Sequence, residues 1–214
     1  MTTDKPNDFI DRLAKIFAII FHPLLMPVYG MAIIFSAPTL FAYLPFNVKK
    51  LLLLIILINN ILLPLSFLPF FIHRNIITSW TIRERKERNI PLIITTILYC
   101  ATSYIIFRFP IPVFLKSFIF GSAFLALMVT LINFWWKISL HSVGAGAIIS
   151  LVLILSLKML TPLDWYLIPA IIAGGLVLSS RLRLNLHNPQ QVWIGLLAGF
   201  FGLSLFMLLF QKFI

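Results

Sequence analysis

Residues 51–72 read LLLLIILINNILLPLSFLPFFI, a run of 22 positions with no charged side chain. As a helix rising about 1.5 Å per residue it is about 33 Å long, slightly more than the roughly 30 Å apolar thickness of a bilayer. Similar apolar runs lie on both sides of it, at 24–44, 91–107, 114–136, 142–160, 165–179 and 191–210, with 91–107 and 165–179 the short ones. Small polar or basic breaks separate them, and none is long enough to be a soluble domain. The 214-residue chain is 61% hydrophobic and 11% charged, against about 25% charged in a soluble domain, so a water-soluble fold is excluded. The expected fold is all-α: a polytopic transmembrane helical bundle of about 6–7 spans, a single integral membrane domain over residues 1–214.

Ahead of the first run, Phe9, Ile10, Leu13, Ile16, Phe17 and Ile20 recur at helical spacing while Asp8, Asp11, Arg12 and Lys15 fall elsewhere. This predicts an amphipathic interfacial helix in an N-terminal segment covering residues 1–21. His22-Pro23 and Pro27 then end or kink it, because proline lacks a backbone donor and crowds the preceding turn. A single kinked helix starting near Lys15 gives the same number of crossings. Asp4, Asp8 and Asp11 among the bases, with no small-residue cleavage pattern, argue against a removed signal peptide. The lone Cys100 sits in an apolar run and has no internal disulfide partner. The expected location is a bacterial inner (cytoplasmic) membrane.

Two crossings separate the N-terminal segment from the loop 73–89, two more lead to 137–141, and two more to 181–190. These four regions therefore share one membrane face. Eleven of the 17 bases lie on it, which by the positive-inside rule would be cytoplasmic. Seven of the eleven, Arg83, Arg85, Lys86, Arg88, Lys137, Arg181 and Arg183, border the converging loops. Without them Lys5, Arg12, Lys15 and Arg74 stand against six on the other face, so the bias belongs to the loops rather than to orientation. The net charge of +11 thus reads as a local rim suited to phosphate. Nucleic acid drops out as a partner, because the bases are distributed among spanning helices.

Ionisable residues at membrane level are costly and tend to be paired or functional. His73, His141 and His187 lie at span ends on the convergent face, and two of them have distinctive neighbours. Trp136-Lys137-Ile138-Ser139-Leu140-His141 opens a small-residue helix, whose free N–H groups and dipole would face a bound anion. In Ser180-Arg181-Leu182-Arg183-Leu184-Asn185-Leu186-His187-Asn188-Pro189-Gln190-Gln191, Asn188 is an expected N-cap and Pro189 suits the first helical position. That leaves His187 just outside a helix N-terminus with Gln191 one turn on. Arg181 and Arg183 add fixed charge in a fork matched to phosphate oxygens.

These segments resemble the motifs of the type 2 phosphatidic acid phosphatases, integral membrane lipid phosphatases. The family's third motif is Ser-Arg, five residues, His, three residues, Asp; here Ser180-Arg181, five residues, His187, three residues, Gln191 departs only at the last position. Its second motif, Pro-Ser-Gly-His, is similar to Ile138-Ser139-Leu140-His141, which keeps Ser and His. Its first, Lys, six residues, Arg-Pro, is echoed loosely by Arg88 and Pro91, with Thr81 at the Lys position and Lys86, Arg85 or Arg83 as substitutes. The resemblance covers a phosphatase-like core over 83–199. It implies that His187 attacks phosphorus to form a phosphohistidine, that Gln191 orients it, and that His141 protonates the leaving oxygen. Arg88, Arg181, Ser139 and Lys86 would hold the phosphate of a phosphorylated membrane lipid, with no metal and no cofactor. Independently of any family, two imidazoles in unlike environments can divide nucleophile and acid roles near pH 7. Gln191 accepts a hydrogen bond but cannot stabilise an imidazolium by charge, and Leu140 puts a side chain where backbone would approach phosphate. The alternative is a non-catalytic phospholipid-binding relative or membrane-complex subunit. A transporter ranks behind both, since it calls for ionisable residues at mid-bilayer on broken helices.

Plainer readings stand beside these. The run 83–88 also suits an interfacial segment with Glu84–Arg88 and Arg83–Glu87 pairs at helical spacing. His22 and His73 read as hydrogen-bonded interface residues, and Lys137 as a snorkelling anchor or a phosphate ligand. Gly195, Gly199 and Gly202 read as close helix packing inside the bundle. Trp80, Trp135, Trp136, Trp165 and Trp193 read as belt anchors.

Overall fold

The structure, a computed structural model, describes residues 8–78, 82 and 84–213, with the side chains of Asp8 and Phe213 not described. Asp4, Lys5, Trp80, Thr81 and Arg83 lie outside the described residues. Among the described residues there is no strand, and seven helical stretches are long and apolar enough to cross a membrane. The chain is an all-α, polytopic, membrane-embedded bundle.

Its helices are α1 (Asp8–Ile20), α2 (Met26–Ser36), α3 (Phe46–Leu57), α4 (Leu63–His73), α5 (Asn89–Phe107), α6 (Val113–Asn133), α7 (Leu140–Met159), α8 (Asp164–Arg183) and α9 (Pro189–Phe213). Six spans fall where the apolar runs predict. The first differs, because the run 24–44 does not stay helical. Its α-helix closes at Ser36 and Ala37 is extended, with ψ 144°, as a residue ahead of a proline (Pro38) tends to be. Eleven residues of α2 make only about 16 Å, so the first candidate crossing is the 28-residue stretch Phe9–Ser36, broken at His22-Pro23. A π turn, Ile58–Leu62, joins α3 to α4. It falls where Pro64 has no N–H to offer the Asn60 carbonyl, so the helix widens rather than breaks. The buried Asn60 carboxamide oxygen accepts from Thr102 of α5 at 2.6 Å.

α7 is the central helix. It packs against α2, α8 and most extensively against α9, and most of its first half is buried. α7 and α9 run parallel with α8 returning between them, so both begin on the same face. Glycine makes the α7–α9 contact a meeting of backbones. A Cβ at Gly199 would run into the Val143 carbonyl, one at Gly146 into the Leu196 carbonyl, and one at Gly195 would sit 2.9 Å from the Ser139 carbonyl. These glycines therefore serve packing within the bundle, as the sequence predicts. At the end of the seam the Ser139 N–H donates to the Gln191 carbonyl at 3.2 Å.

Gly199→Leu is expected to separate α7 from α9 and destabilise the protein by at least about 3 kcal/mol, because backbone cannot yield as a side chain can. Gly175, with nothing within 4 Å of its Cβ position, serves as the control. Gly175→Ala should be neutral or stabilising by up to about 1 kcal/mol, the helix-propensity difference. Thermal unfolding in detergent micelles reads both.

Candidate functional site

The five-residue spacing between Ser180-Arg181 and His187 has a local structural cause. α8 ends in a Schellman motif: Asn185 takes the left-handed conformation (φ 51°), its N–H donates to Leu182 O at 3.0 Å, and the Leu186 N–H returns to Arg181 O at 3.3 Å. Asparagine tolerates that conformation better than most residues. Asn188 then caps α9, its Oδ1 accepting from the Gln191 N–H at 2.9 Å, with Pro189 at the first helical position. One residue, His187, is left between the Schellman motif, which ends at Leu186, and the N-cap of α9, Asn188. Its imidazole Nδ1 lies 2.9 Å from Gln191 Oε1. With that oxygen as acceptor, Nδ1 carries the proton and Nε2 the lone pair.

A cavity of about 680 Å³ is lined by Arg88, His141, Arg181 and His187, and by His22 and Lys15 of the N-terminal segment. The remaining walls are mostly apolar and include Leu125, Val129 and Ala147, with Tyr99 and Thr96 of α5 among the polar exceptions. Tyr99 stands eleven residues along from Arg88, about 16 Å of helix, so the cavity runs from the rim to about half the depth of the apolar layer. A polar, cationic mouth over an apolar chamber suits an amphipathic ligand.

Arg88 is 8% exposed and Arg181 7%. Arg88 donates from Nε and Nη2 to Ile82 O, at 3.2 and 3.0 Å. Arg181 Nε is buried and, among the described residues, has no hydrogen-bond partner. Neither guanidinium is within 4 Å of a carboxylate among those residues, where the only ion pair is the exposed Arg183–Asp11 contact at 2.8 Å. A buried charge without a counter-charge is strongly unfavourable, and an anion in the cavity would relieve two of them together.

His187 feels the same imbalance. Burial pushes its pKa down to about 4 against the upward pull of the Gln191 hydrogen bond, and the charges of Arg88, Arg181 and Lys137 add to the lowering. The ring is therefore neutral at physiological pH. Lys137, half-buried between span ends, is lowered by burial first and then by Arg88. His141, in the first turn of α7, sits with Nε2 3.0 Å from the Ala18 carbonyl of α1. A carbonyl only accepts, so Nε2 carries hydrogen and Nδ1 is the nitrogen left for other partners.

Among the described residues no three His, Cys, Asp or Glu side chains are grouped to hold a metal ion. No protein-family model, curated protein or solved structure matches the chain.

His141, His187, Arg88 and Arg181 thus meet on one cavity, with Gln191 behind His187. Ser139 and Lys86 do not reach it. Ser139 is fully buried as the N-cap of α7, its hydroxyl accepting from the Ser142 N–H (3.4 Å) and hydroxyl (2.9 Å). Lys86 is exposed in a 3₁₀ turn, Lys86–Arg88. Because that segment is not α-helical, the Glu84–Arg88 pairing expected at helical spacing does not form; Glu87 instead accepts from Thr78 Oγ1 at 3.3 Å. Arg85 turns to the end of α6, donating to Asn133 O at 2.7 Å and also to Phe134 O. His73 is exposed at the end of α4, away from the cavity. His22 is hydrogen-bonded, its Nδ1 accepting from the Leu24 N–H, and it also lines the cavity with its ring 5.6 Å from that of His141.

The depressed His187 pKa gives stability a definite pH dependence. Between about 4 and 6.5 the unfolded chain binds a proton that the folded chain does not, so this contribution is complete above about pH 6.5 and is lost as pH falls toward 4. ¹⁵N histidine NMR should place the His187 midpoint near pH 4, and Arg88→Gln should move it upward.

Proposed function

We propose that this chain is a membrane lipid phosphatase-like protein that hydrolyses a phosphomonoester or pyrophosphate on a lipid through a phosphohistidine intermediate. The observation that carries this reading is the pair of buried guanidiniums without carboxylates, Arg88 and Arg181, on the same cavity as a neutral His187 whose Nδ1 is paired with Gln191. The phosphate lies between the guanidiniums, and the lipid chain enters the apolar chamber. Phosphatidic acid, phosphatidylglycerol phosphate and polyprenyl pyrophosphates all meet that description.

In the reaction the His187 Nε2 lone pair forms the N–P bond as the P–O bond to the lipid breaks. The leaving oxygen takes a proton from His141: Nε2–H is committed to Ala18 O, so the transferred proton is one that Nδ1 takes up when the negatively charged phosphate enters the cavity. Water then attacks phosphorus, giving a proton to the vacant Nδ1 of the now neutral His141; the N–P bond breaks, phosphate leaves, and neutral His187 and protonated His141 are restored. Charge stabilisation comes from Arg88 and Arg181 held away from water, where it is worth most. Gln191 supports a second reading, retention of a phosphorylated lipid without turnover, since it fixes the tautomer but leaves an imidazolium without a counter-charge.

Purified protein given a panel of lipid phosphates should release phosphate, His187→Ala should abolish release, and Gln191→Asp should raise kcat at least about tenfold. Binding without release in both wild type and Gln191→Asp establishes the second reading instead. Equal turnover by wild type and His187→Ala removes His187 as the nucleophile.

A further inference from the structure

His22 is separated from the two motifs by more than a hundred residues, yet the fold returns it to the cavity. It occupies the break between α1 and α2, extended (φ −63°, ψ 136°) ahead of Pro23, as that proline favours. Its Nδ1 accepts from the Leu24 N–H at 3.3 Å, capping a short 3₁₀ turn. In a neutral imidazole one nitrogen donates and the other accepts, so Nε2 carries the hydrogen. No acceptor for that N–H is found among the described residues. The ring packs edge to face on His141 (81°) and is half-buried on the cavity wall shared with Arg88, Arg181 and His187.

The element that carries His22 is also fastened to the site. Ala18, one turn earlier, accepts from His141, and Asp11 pairs with Arg183 just past Arg181. A neutral N–H donor beside two buried guanidiniums that make no ion-pair contact has the chemistry of a phosphoryl-oxygen contact. We propose that His22 is the third histidine of this anion site, its Nε2–H donating a hydrogen bond to a phosphoryl oxygen of the bound lipid phosphate, so that the α1–α2 junction closes over the headgroup. The proposal rests on the anion site of the preceding subsection, but not on turnover. It makes the N-terminal segment part of the headgroup site as well as a membrane anchor.

The test uses the full chain in detergent micelles and a dioctanoyl phosphonate analogue of phosphatidic acid, whose P–C bond resists hydrolysis. Dioctanoylglycerol serves as the same chains without the anion. His22→Asn keeps an N-cap acceptor and removes the imidazole donor. It should bind the phosphonate about tenfold more weakly than wild type, bind dioctanoylglycerol equally well, and unfold at the same temperature. In wild-type protein labelled with ¹⁵N-histidine, the His22 Nε2 resonance should shift on adding the phosphonate. That measurement decides the matter if His22→Asn proves unstable. Unchanged phosphonate affinity in His22→Asn with no resonance shift overturns the role of His22 alone, provided that Arg181→Gln loses affinity. A wild type that does not bind the phosphonate overturns the anion site and His22 together. Equal loss for both ligands overturns the headgroup contact, since only the anion should sense it.

Discussion

The touching backbones of α7 and α9 set the positions of nearly everything at the rim. Because Gly146, Gly195 and Gly199 carry no Cβ, the two parallel helices meet without side chains between them. Their N-termini are held in register by the Ser139–Gln191 hydrogen bond. Within a bilayer no hydrophobic force draws helices together, and close packing of small residues takes its place. His141 is in the first turn of one helix and His187 immediately precedes the other, so the spacing of the imidazoles is inherited from the helix contact. The links on either side are equally determinate. The Schellman motif through Asn185 and the Asn188 cap leave His187 no latitude along the chain.

On this frame the charges are arranged against their own electrostatic interest. Arg88 and Arg181 are buried on one cavity, Lys137 stands near enough to act on His187, and no carboxylate among the described residues is within 4 Å of either guanidinium, Glu84 lying exposed beyond that distance. Glu87 is turned to Thr78, and Asp11 to Arg183 at the exposed edge. Packing alone gives no reason to concentrate like charges at low dielectric, whereas an anionic ligand supplies the missing counter-charge. The apolar walls below make the same point from the other side, since a free phosphate would leave them empty and a lipid phosphate would fill both halves.

Most of this was legible in the sequence, to different depths. Uncharged runs of bilayer length give the spans, because hydrocarbon admits few other solutions for a helical chain. Alternation of crossings gives the shared face, and the cap signals Asn188 and Pro189 place His187. What failed depends on information that is not periodic. The run 24–44 overshoots its helix because apolar character continues through 37–44 while Pro38 stops the helix at Ser36. Motif position points to Ser139 as a phosphate ligand, but a serine ahead of a helix is drawn to its N–H groups; Lys86, a stand-in for the motif lysine, lies exposed in a 3₁₀ turn off the cavity. His22 carried one usable signal, a histidine at a proline break directly after an amphipathic helix. Nothing local says that the break folds back onto His141.

The residue at position 191 connects the two readings of the site. An aspartate there would supply a negative charge beside His187, raise its pKa toward neutrality and offset part of the field of Arg88 and Arg181. Glutamine preserves the hydrogen bond and removes the charge. The ring then stays neutral and unpaired in charge, while the guanidiniums keep their full demand for an external anion. The first effect slows any step in which His187 becomes an imidazolium; the second strengthens retention of the phosphate before that step. Within the proposed function, glutamine at position 191 would thus favour grip over turnover. A site that holds its ligand longer than it needs for chemistry is also one in which a further donor, such as the N–H of His22, has most to contribute.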